Sequence, residues 1–257
     1  MSTIHPTALI EKGAELGVDV EIGPYCIVGP DVRLGDRCQL QSSVRLDGWT
    51  EIGPDCRFFH GAAIGLEPQD LKYRGARSRT RIGARCTCRE SSTINRATGE
   101  GEETVLGDDS LVMAYSHLGH NCIVGHHVIL GNCATLAGHV EVGDFALISG
   151  VTPVHQFVHV GAHCIIGGGC RVPKDVPPFV RAAGHPLRVA GLNAVGLERR
   201  GFPAETVAEL KKLYRLFFRS NLVSTDAVAR IRAECKPLPE IELFCEFVER
   251  SERGLTR

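Results

Sequence analysis

Over two long stretches of this chain, every sixth residue is large and apolar. From Ile4 the step runs through Ile10, Leu16, Ile22, Val28, Leu34, Leu40, Leu46, Ile52 and Phe58 to Ile64. It resumes at Leu106 and runs through Val112, Leu118, Val124, Leu130, Leu136, Val142, Ile148, Val154, Val160 and Ile166 to Val172. A composition of 43% hydrophobic residues does not produce two such unbroken runs by chance. Four residues after each anchor sits a small or β-branched residue, among them Ala8, Val20, Cys26, Val32, Cys38, Val44, Ala134 and Val140. A glycine often follows the anchor directly, as at Gly17, Gly23, Gly53, Gly107, Gly125, Gly143 and Gly161. Glycine there is expected to supply turn dihedrals that other residues avoid.

A six-residue period with a turn in each unit is the pattern of a parallel β-helix, one short strand and one corner per hexad. The repeat spans residues 4 to 177, which at three hexads per coil predicts about ten coils stacked through nearest neighbours. Two polar, glycine-bearing stretches lack the anchors. These are "LEPQDLKYRGARSRT" (66–80) and "TGEGEET" (98–104), and both read as loops leaving the prism. Loops carried on a rigid scaffold are frequent carriers of function. Pro177 and Pro178 end the repeat. The solenoid is therefore assigned to 1–180, and a linker (182–200) plus C-terminal helices to 181–257. "PAETVAELKKLYRLFFRSN" has Pro203 suited to a first helical position. It also carries an apolar stripe at Val207, Leu210, Leu213, Tyr214, Phe217 and Phe218. "TDAVARIRAEC" and "EIELFCEFVERS" predict two further helices.

Charge and composition narrow the function classes. A formal net charge of -1 with 23% charged residues gives no basic surface for nucleic acid or for an anionic membrane. No apolar run is long enough to span a bilayer. The first residues, "MSTIHPTALIEKG", do not pattern as a signal peptide, so the cytoplasm is the expected location. Seven of the eleven cysteines (26, 38, 56, 86, 122, 164 and 170) fall in the small inward slot. They read as buried hydrophobes of a reduced protein, not as disulfides or metal ligands.

None of the eleven histidines falls in either inward slot, so all are placed on corners and outer faces. Residues eighteen apart should stack on adjacent coils, about 4.8 Å apart. That puts His120 under Gly138 and Gln156, and Asn121 under His139, with His155 alongside. The resulting polar column has the size of a small-molecule site. His5, His60, His126, His127 and His163 read as solvated, and His159 is left open. The γ-class carbonic anhydrases share this kind of solenoid and carry three histidines in a pattern resembling H-x35-H-x4-H. Here the residues thirty-six after His117 and His120 are Pro153 and Gln156, so the spacing disfavours a metal site.

The chain resembles the bacterial UDP-N-acetylglucosamine O-acyltransferases, which begin lipid A synthesis. The resemblance spans the whole chain. It rests on "IHPTALIEKGAELG", "IGPYCIVGP", "QDLKY", "RESSTINR", "SHLGHNC", "ATLAGHVEV", "VHQF", "GLERRGF" and "RSERGLTR". The related N-acyltransferases carry an extra N-terminal domain, whereas these repeats start at once. The resemblance implies a mainly β fold, a left-handed parallel β-helix with a C-terminal α-helical domain. It also implies homotrimers with active sites between subunits, and no metal or tightly bound cofactor. The implied reaction moves an (R)-3-hydroxyacyl chain from acyl carrier protein to the 3-hydroxyl of UDP-N-acetylglucosamine. Carried over residue by residue, His120 becomes the general base and the Gly138 N–H the oxyanion donor. Asp70, Lys72, His117, His139, His155 and Gln156 then line the sugar and nucleotide site. Asn193, Arg199 and Arg200 fall near the phosphates or the carrier, and Gly168 becomes the acyl-chain ruler. Asn121 stands where the best-known members carry Asp, and Val195 replaces an acidic residue. Two alternatives accompany this reading: an acceptor with a 3-amino group, and a metal-dependent hydratase on the same solenoid.

Overall fold

The computed structural model describes residues 1–257 and shows a three-sided left-handed parallel β-helix followed by four helices. Each hexad forms a two-residue strand, and successive strands pass to successive faces. Face A begins at Thr3–Ile4, face B at Leu9–Ile10 and face C at Glu15–Leu16. Pairing in the coils is parallel and in register at a spacing of eighteen, as in Ile4 with Ile22 and Leu118 with Leu136, except where an excursion intervenes, as in Ile64 with Ile94. Eight coils have strands on all three faces. A ninth adds Ile165–Ile166 and closes through single bridges at Val172 and Val176. The count is nine rather than about ten because the two excursions consume chain without adding a coil.

Anchors and small residues point inward as the phase requires. Val28, Leu46, Phe58, Ile64, Leu118, Leu130, Leu136 and Ile166 are fully buried. Each such side chain contributes about 1.5–3 kcal/mol through removal of apolar area from water. The terminal coil is the exception, with Ile4 43% exposed, because nothing stacks beneath it. All seven cysteines of the small slot are buried and free, and Cys133 alone among the eleven is exposed.

Glycine after the anchor has a different cause from the one expected. None of Gly17, Gly23, Gly107 or Gly125 has a positive φ. A Cβ at Gly23 would lie 2.1 Å from the Gln41 carbonyl oxygen, and one at Gly107 would lie 2.6 Å from the Gly125 carbonyl carbon. Glycine is needed there because the next coil passes too close. The left-handed residue comes two positions later and is seldom glycine, as with Asp55 (φ 61), Asn121 (φ 59), His139 (φ 59) and Phe157 (φ 62). Its N–H reaches the coil below: His139 N–H donates to the His120 carbonyl at 3.0 Å. That bond offsets the steric penalty of the conformation.

Both excursions are shorter than the pattern predicts. Arg79 and Thr80 belong to a strand Arg79–Ile82, and Glu103 and Thr104 to a strand Glu103–Leu106. Thr50, Thr80 and Thr104 stack in register and are buried, so three adjacent strands of face C are lengthened by two residues. A period of large apolar anchors does not mark this extension, because its inward residues are threonines. The segment read as a linker is also structured. Val180–Ala183 adds to face A in parallel, and Arg188–Leu192 folds back on it antiparallel. The helices are α1 (Ala194–Arg199), α2 (Ala204–Phe218), α3 (Ser224–Glu234) and α4 (Pro239–Arg250). Pro203 caps α2 rather than opening it. Val207, Leu210, Leu213 and Phe217 form a second core with Phe244 and Ile231, and Tyr214 and Phe218 lie at its margin.

An aromatic ladder joins the two parts. His127, Phe145 and His163 stack along the edge between faces C and A, with ring centres 4.5 and 4.8 Å apart. Phe179 and Phe202 extend it. His163 is therefore no solvated residue. Burial, with a smaller effect from Arg200, pushes its pKa down to about 4. The unfolded chain then binds more protons than the folded one between about pH 6.5 and about 4, so stability falls as pH drops through that window. His163→Phe is expected to flatten the dependence of Tm on pH there. Phe145 and Phe179 already hold phenylalanine at the same left-handed position. An unchanged acid slope in the variant would show that His163 does not carry the effect.

Candidate active site

The corner after strand His117–Leu118, between faces B and C, gathers the polar column. The His120 ring lies against the backbone of Gly138 one coil on: a Cβ there would be 2.4 Å from Cε1 and 2.5 Å from Nε2. His139 meets His120 edge-on at 5.2 Å between ring centres and stacks on Phe157 at 4.8 Å. The Gly138 N–H finds no acceptor within the chain, while its carbonyl accepts from Phe157 N–H at 3.2 Å. At a few corners the N–H of this slot is taken up by a side chain of the next coil, as in His126 N–H to Asp144 Oδ1 at 2.8 Å, and at most others it is free as at Gly138.

Local bonding determines the His120 tautomer. His120 Nδ1 lies 2.9 Å from Asn121 Oδ1. That oxygen also faces the Thr98 N–H at 3.1 Å and the Thr98 hydroxyl at 3.0 Å, and Asn121 Nδ2 donates to Glu102 Oε2 at 2.7 Å. A backbone N–H only donates and a carboxylate only accepts, so the amide can be oriented one way. Nδ1 must carry the proton, and Nε2 is left with the lone pair beside Gly138. Asn121 N–H is in turn held by Thr104 Oγ1 at 2.8 Å.

The remaining expected residues divide into two groups. His117 is half-buried on the same strand with Nδ1 2.7 Å from Thr93 Oγ1, and burial lowers its pKa. Burial likewise lowers the pKa of His139, then the His120 charge, against opposing effects of Glu102 and Asp70. Asp70 thus shares the site's electrostatic field, and its Oδ1 accepts from Lys72 N–H at 2.8 Å. His155, its Nδ1 3.1 Å from the Gln156 carbonyl, and the exposed Gln156 continue the corner upward. These residues share one edge. Asn193, Arg200 and Gly168 lie on others. Asn193 is buried and committed: Oδ1 accepts from Gly196 N–H at 3.2 Å and Nδ2 donates to the His163 carbonyl at 2.8 Å. Arg200 donates to the Phe145 carbonyl at 2.9 Å, on the edge between faces C and A. Arg199 sits exposed in the last turn of α1. Gly168 follows the face A strand Ile165–Ile166, on the edge leading to face B.

Four residues of the site were not singled out in the sequence: Thr98, Glu102, Thr104 and Arg96. Arg96 is nearly buried. It donates to the Gly65 carbonyl at 3.0 Å and to Tyr73 Oη at 3.1 Å, so it secures the loop that carries Asp70 and Lys72. The legible signal was the pairing of "RESSTINR" with "QDLKY" in one set of motifs, which this contact explains.

A left-handed coil of hexads with an imidazole beside a free backbone N–H on the next coil offers a base and an oxyanion donor together, as a hexapeptide-repeat transferase needs. The family "Bacterial transferase hexapeptide (six repeats)" matches residues 103–138, and "Udp N-acetylglucosamine O-acyltransferase; Domain 2" matches residues 175–256. An acyl-[acyl-carrier-protein]--UDP-N-acetylglucosamine O-acyltransferase of Thermodesulfovibrio yellowstonii is 46% identical over the full length of both chains. One of Paraburkholderia phymatum is 45% identical, again over both full lengths. The UDP-N-acetylglucosamine acyltransferase of Bacteroides fragilis superposes with a TM-score of 0.96 at 38% identity, covering 99% of this chain and 100% of that one. The chain belongs to the UDP-N-acetylglucosamine O-acyltransferase family. Membership decides against the hydratase alternative.

Proposed function

We propose that this acyltransferase uses His120 Nε2 as the base that takes the proton from the 3-hydroxyl of UDP-N-acetylglucosamine. The observation that carries this reading is the His120 ring packed against the Gly138 backbone, with Nδ1 2.9 Å from Asn121 Oδ1 so that Nε2 is the nitrogen free to accept a proton. A sugar hydroxyl is a weak nucleophile near neutral pH, and a positioned imidazole accelerates its attack on a thioester. The attacked carbonyl oxygen becomes an oxyanion, and the unbonded Gly138 N–H is the donor for it. Collapse of the adduct expels the carrier thiolate, which takes the proton back from His120. His117, His139, His155, Gln156, Asp70 and Lys72 surround the same corner and bind the sugar nucleotide. Purified chain should release free carrier thiol from (R)-3-hydroxyacyl carrier protein only when the sugar nucleotide is present. Equal release without it would make the chain a thioesterase.

The expected site residues occupy three different edges of one prism. His120 lies between faces B and C, Gly168 between A and B, and Arg200 between C and A. One chain cannot bring them together. A homotrimer sets an edge of one chain against another edge of its neighbour, which also gives a convex corner the concavity that small-molecule sites have. Light scattering is expected to give three chains per particle, and a fully active monomer would contradict the assembly. Arg199 and Arg200 then meet the nucleotide phosphates or the acidic carrier protein. The reaction is placed in the cytoplasm, with its sugar-nucleotide and carrier-protein substrates. No helix is long and apolar enough to cross a membrane.

Gly168 bears on acyl length. It is exposed, its φ is not in the left-handed region, and a Cβ there would meet only the Gly150 carbonyl oxygen at 3.3 Å and Ser149 Cβ at 3.8 Å. A long side chain can stand out from this edge after a small adjustment. With glycine in place, the groove accepts a long chain, of more than about ten carbons, since each buried methylene contributes about 0.8 kcal/mol. Gly168→Met should move preference towards shorter chains, several-fold per carbon removed, in a competition among carrier thioesters. An unchanged preference would remove Gly168 as the ruler.

A further inference from the structure

We propose that Glu102 is a positioning residue for the base: through the Asn121 amide it holds His120 in the Nδ1–H form and supplies the charge that balances the imidazolium. This rests on His120 being the base. The residue beside His120 is an amide, which can orient an imidazole but cannot carry charge. The structure supplies the missing carboxylate one hydrogen bond further out. Asn121 Oδ1 faces His120 Nδ1 at 2.9 Å, and Asn121 Nδ2 donates to Glu102 Oε2 at 2.7 Å. The same Oε2 accepts from Gly99 N–H at 2.8 Å, so the excursion loop itself clamps the carboxylate.

The carboxylate is ionised when the reaction needs it. The Asn121 hydrogen bond, then that of the Gly99 N–H, draws the Glu102 pKa below the usual carboxylate range, and the His139 and His120 charges add to this. The ionisable groups facing His120 are His117 on its own strand, His139 one coil on, Glu102, and Asp70, whose field reaches His139. His117 and His139 oppose a second positive charge, and the carboxylates favour it. When the sugar proton passes to Nε2, the Nδ1 proton stays in place and the new positive charge faces the amide oxygen that Glu102 polarises. No proton moves to Glu102. The bond from Thr98 N–H to Asn121 Oδ1 prevents the amide from turning over.

The experiment uses the full-length enzyme with UDP-N-acetylglucosamine and a carrier thioester. It measures kcat, KM and the pH dependence of kcat for E102Q, N121D, the double variant N121D/E102Q and H120A, with Tm for each. Replacing a carboxylate bonded directly to a catalytic histidine can lower kcat by about 10⁴-fold. Acting through an amide from an exposed loop, Glu102→Gln is expected to lower it by about tenfold, with KM for the sugar nucleotide within about twofold. The acid limb of its kcat profile should move to lower pH, because the imidazolium has lost its balancing charge. N121D alone sets two carboxylates against each other and is expected to be impaired. N121D/E102Q restores one carboxylate and one amide in exchanged order, at the cost of the Gly99 N–H bond, and should recover part of kcat and the original acid limb. E102Q with a wild-type profile would overturn the proposal. So would a loss accompanied by lower Tm that the exchange does not repair, which would make Glu102 a loop clasp only. An active H120A would remove the base reading instead, so the two failures are distinguishable.

Discussion

His120→Ala is expected to lower kcat by about 10²–10⁴-fold, the usual contribution of a positioned general base. KM for the sugar nucleotide should change little, because the ring acts on the proton in flight rather than on the ground state. The fold should survive, since His120 is half-buried on an outer corner and takes no part in the anchor core. Removing its ring leaves Asn121 still bonded to Thr98 and Glu102. Steady-state kinetics with Tm as control tests this. Near-normal turnover by a folded variant would falsify the assignment.

Gly138→Ala is expected to be nearly as severe for a different reason. The backbone at Gly138 is not in the left-handed region, so alanine meets no conformational penalty there. Its Cβ, however, would sit 2.4 Å from His120 Cε1 and 2.5 Å from Nε2. The imidazole must shift by about 1 Å, and a displacement of that size at the reacting centre can cost about 10²-fold in rate. The donor N–H moves with it. The two changes share one contact and should be far from additive. In the His120→Ala background the extra methyl has no ring to meet, so Gly138→Ala should have little further effect on rate or on Tm. Full additivity in that double-variant cycle would contradict the packing described.

The solenoid was legible because its anchors alternate with a period that no helix or ordinary strand shares, and because cysteine fills the small slot. Residue 120 stacking on 138 followed from the same period, and the ring contact with Gly138 agrees with it. Other features escaped for identifiable reasons. Thr80 and Thr104 are inward but polar, so a period of large apolar residues does not mark them as strand. The hairpin at 180–192 lies beyond the hexads, where two short strands in mixed polarity show no clear alternation. Glu102 lies in a loop whose geometry depends on turns at Gly99 and Gly101, and its bond to Asn121 joins residues nineteen apart across two elements. Period cannot reveal such a pair. The outward slot of His163 predicts a solvated ring. The C-terminal aromatic residues that cover it, Phe179 and Phe202, come from chain that the repeat does not describe.

The most direct test is the linkage made by the purified wild-type enzyme when UDP-N-acetylglucosamine and its 3-amino counterpart compete for one (R)-3-hydroxyacyl carrier thioester. Mass spectrometry before and after mild alkali distinguishes an ester from an amide. An alkali-labile monoacyl UDP-N-acetylglucosamine, lost in His120→Ala, is the predicted result. An alkali-stable amide as the only product, or an ester formed equally well without His120, would contradict it.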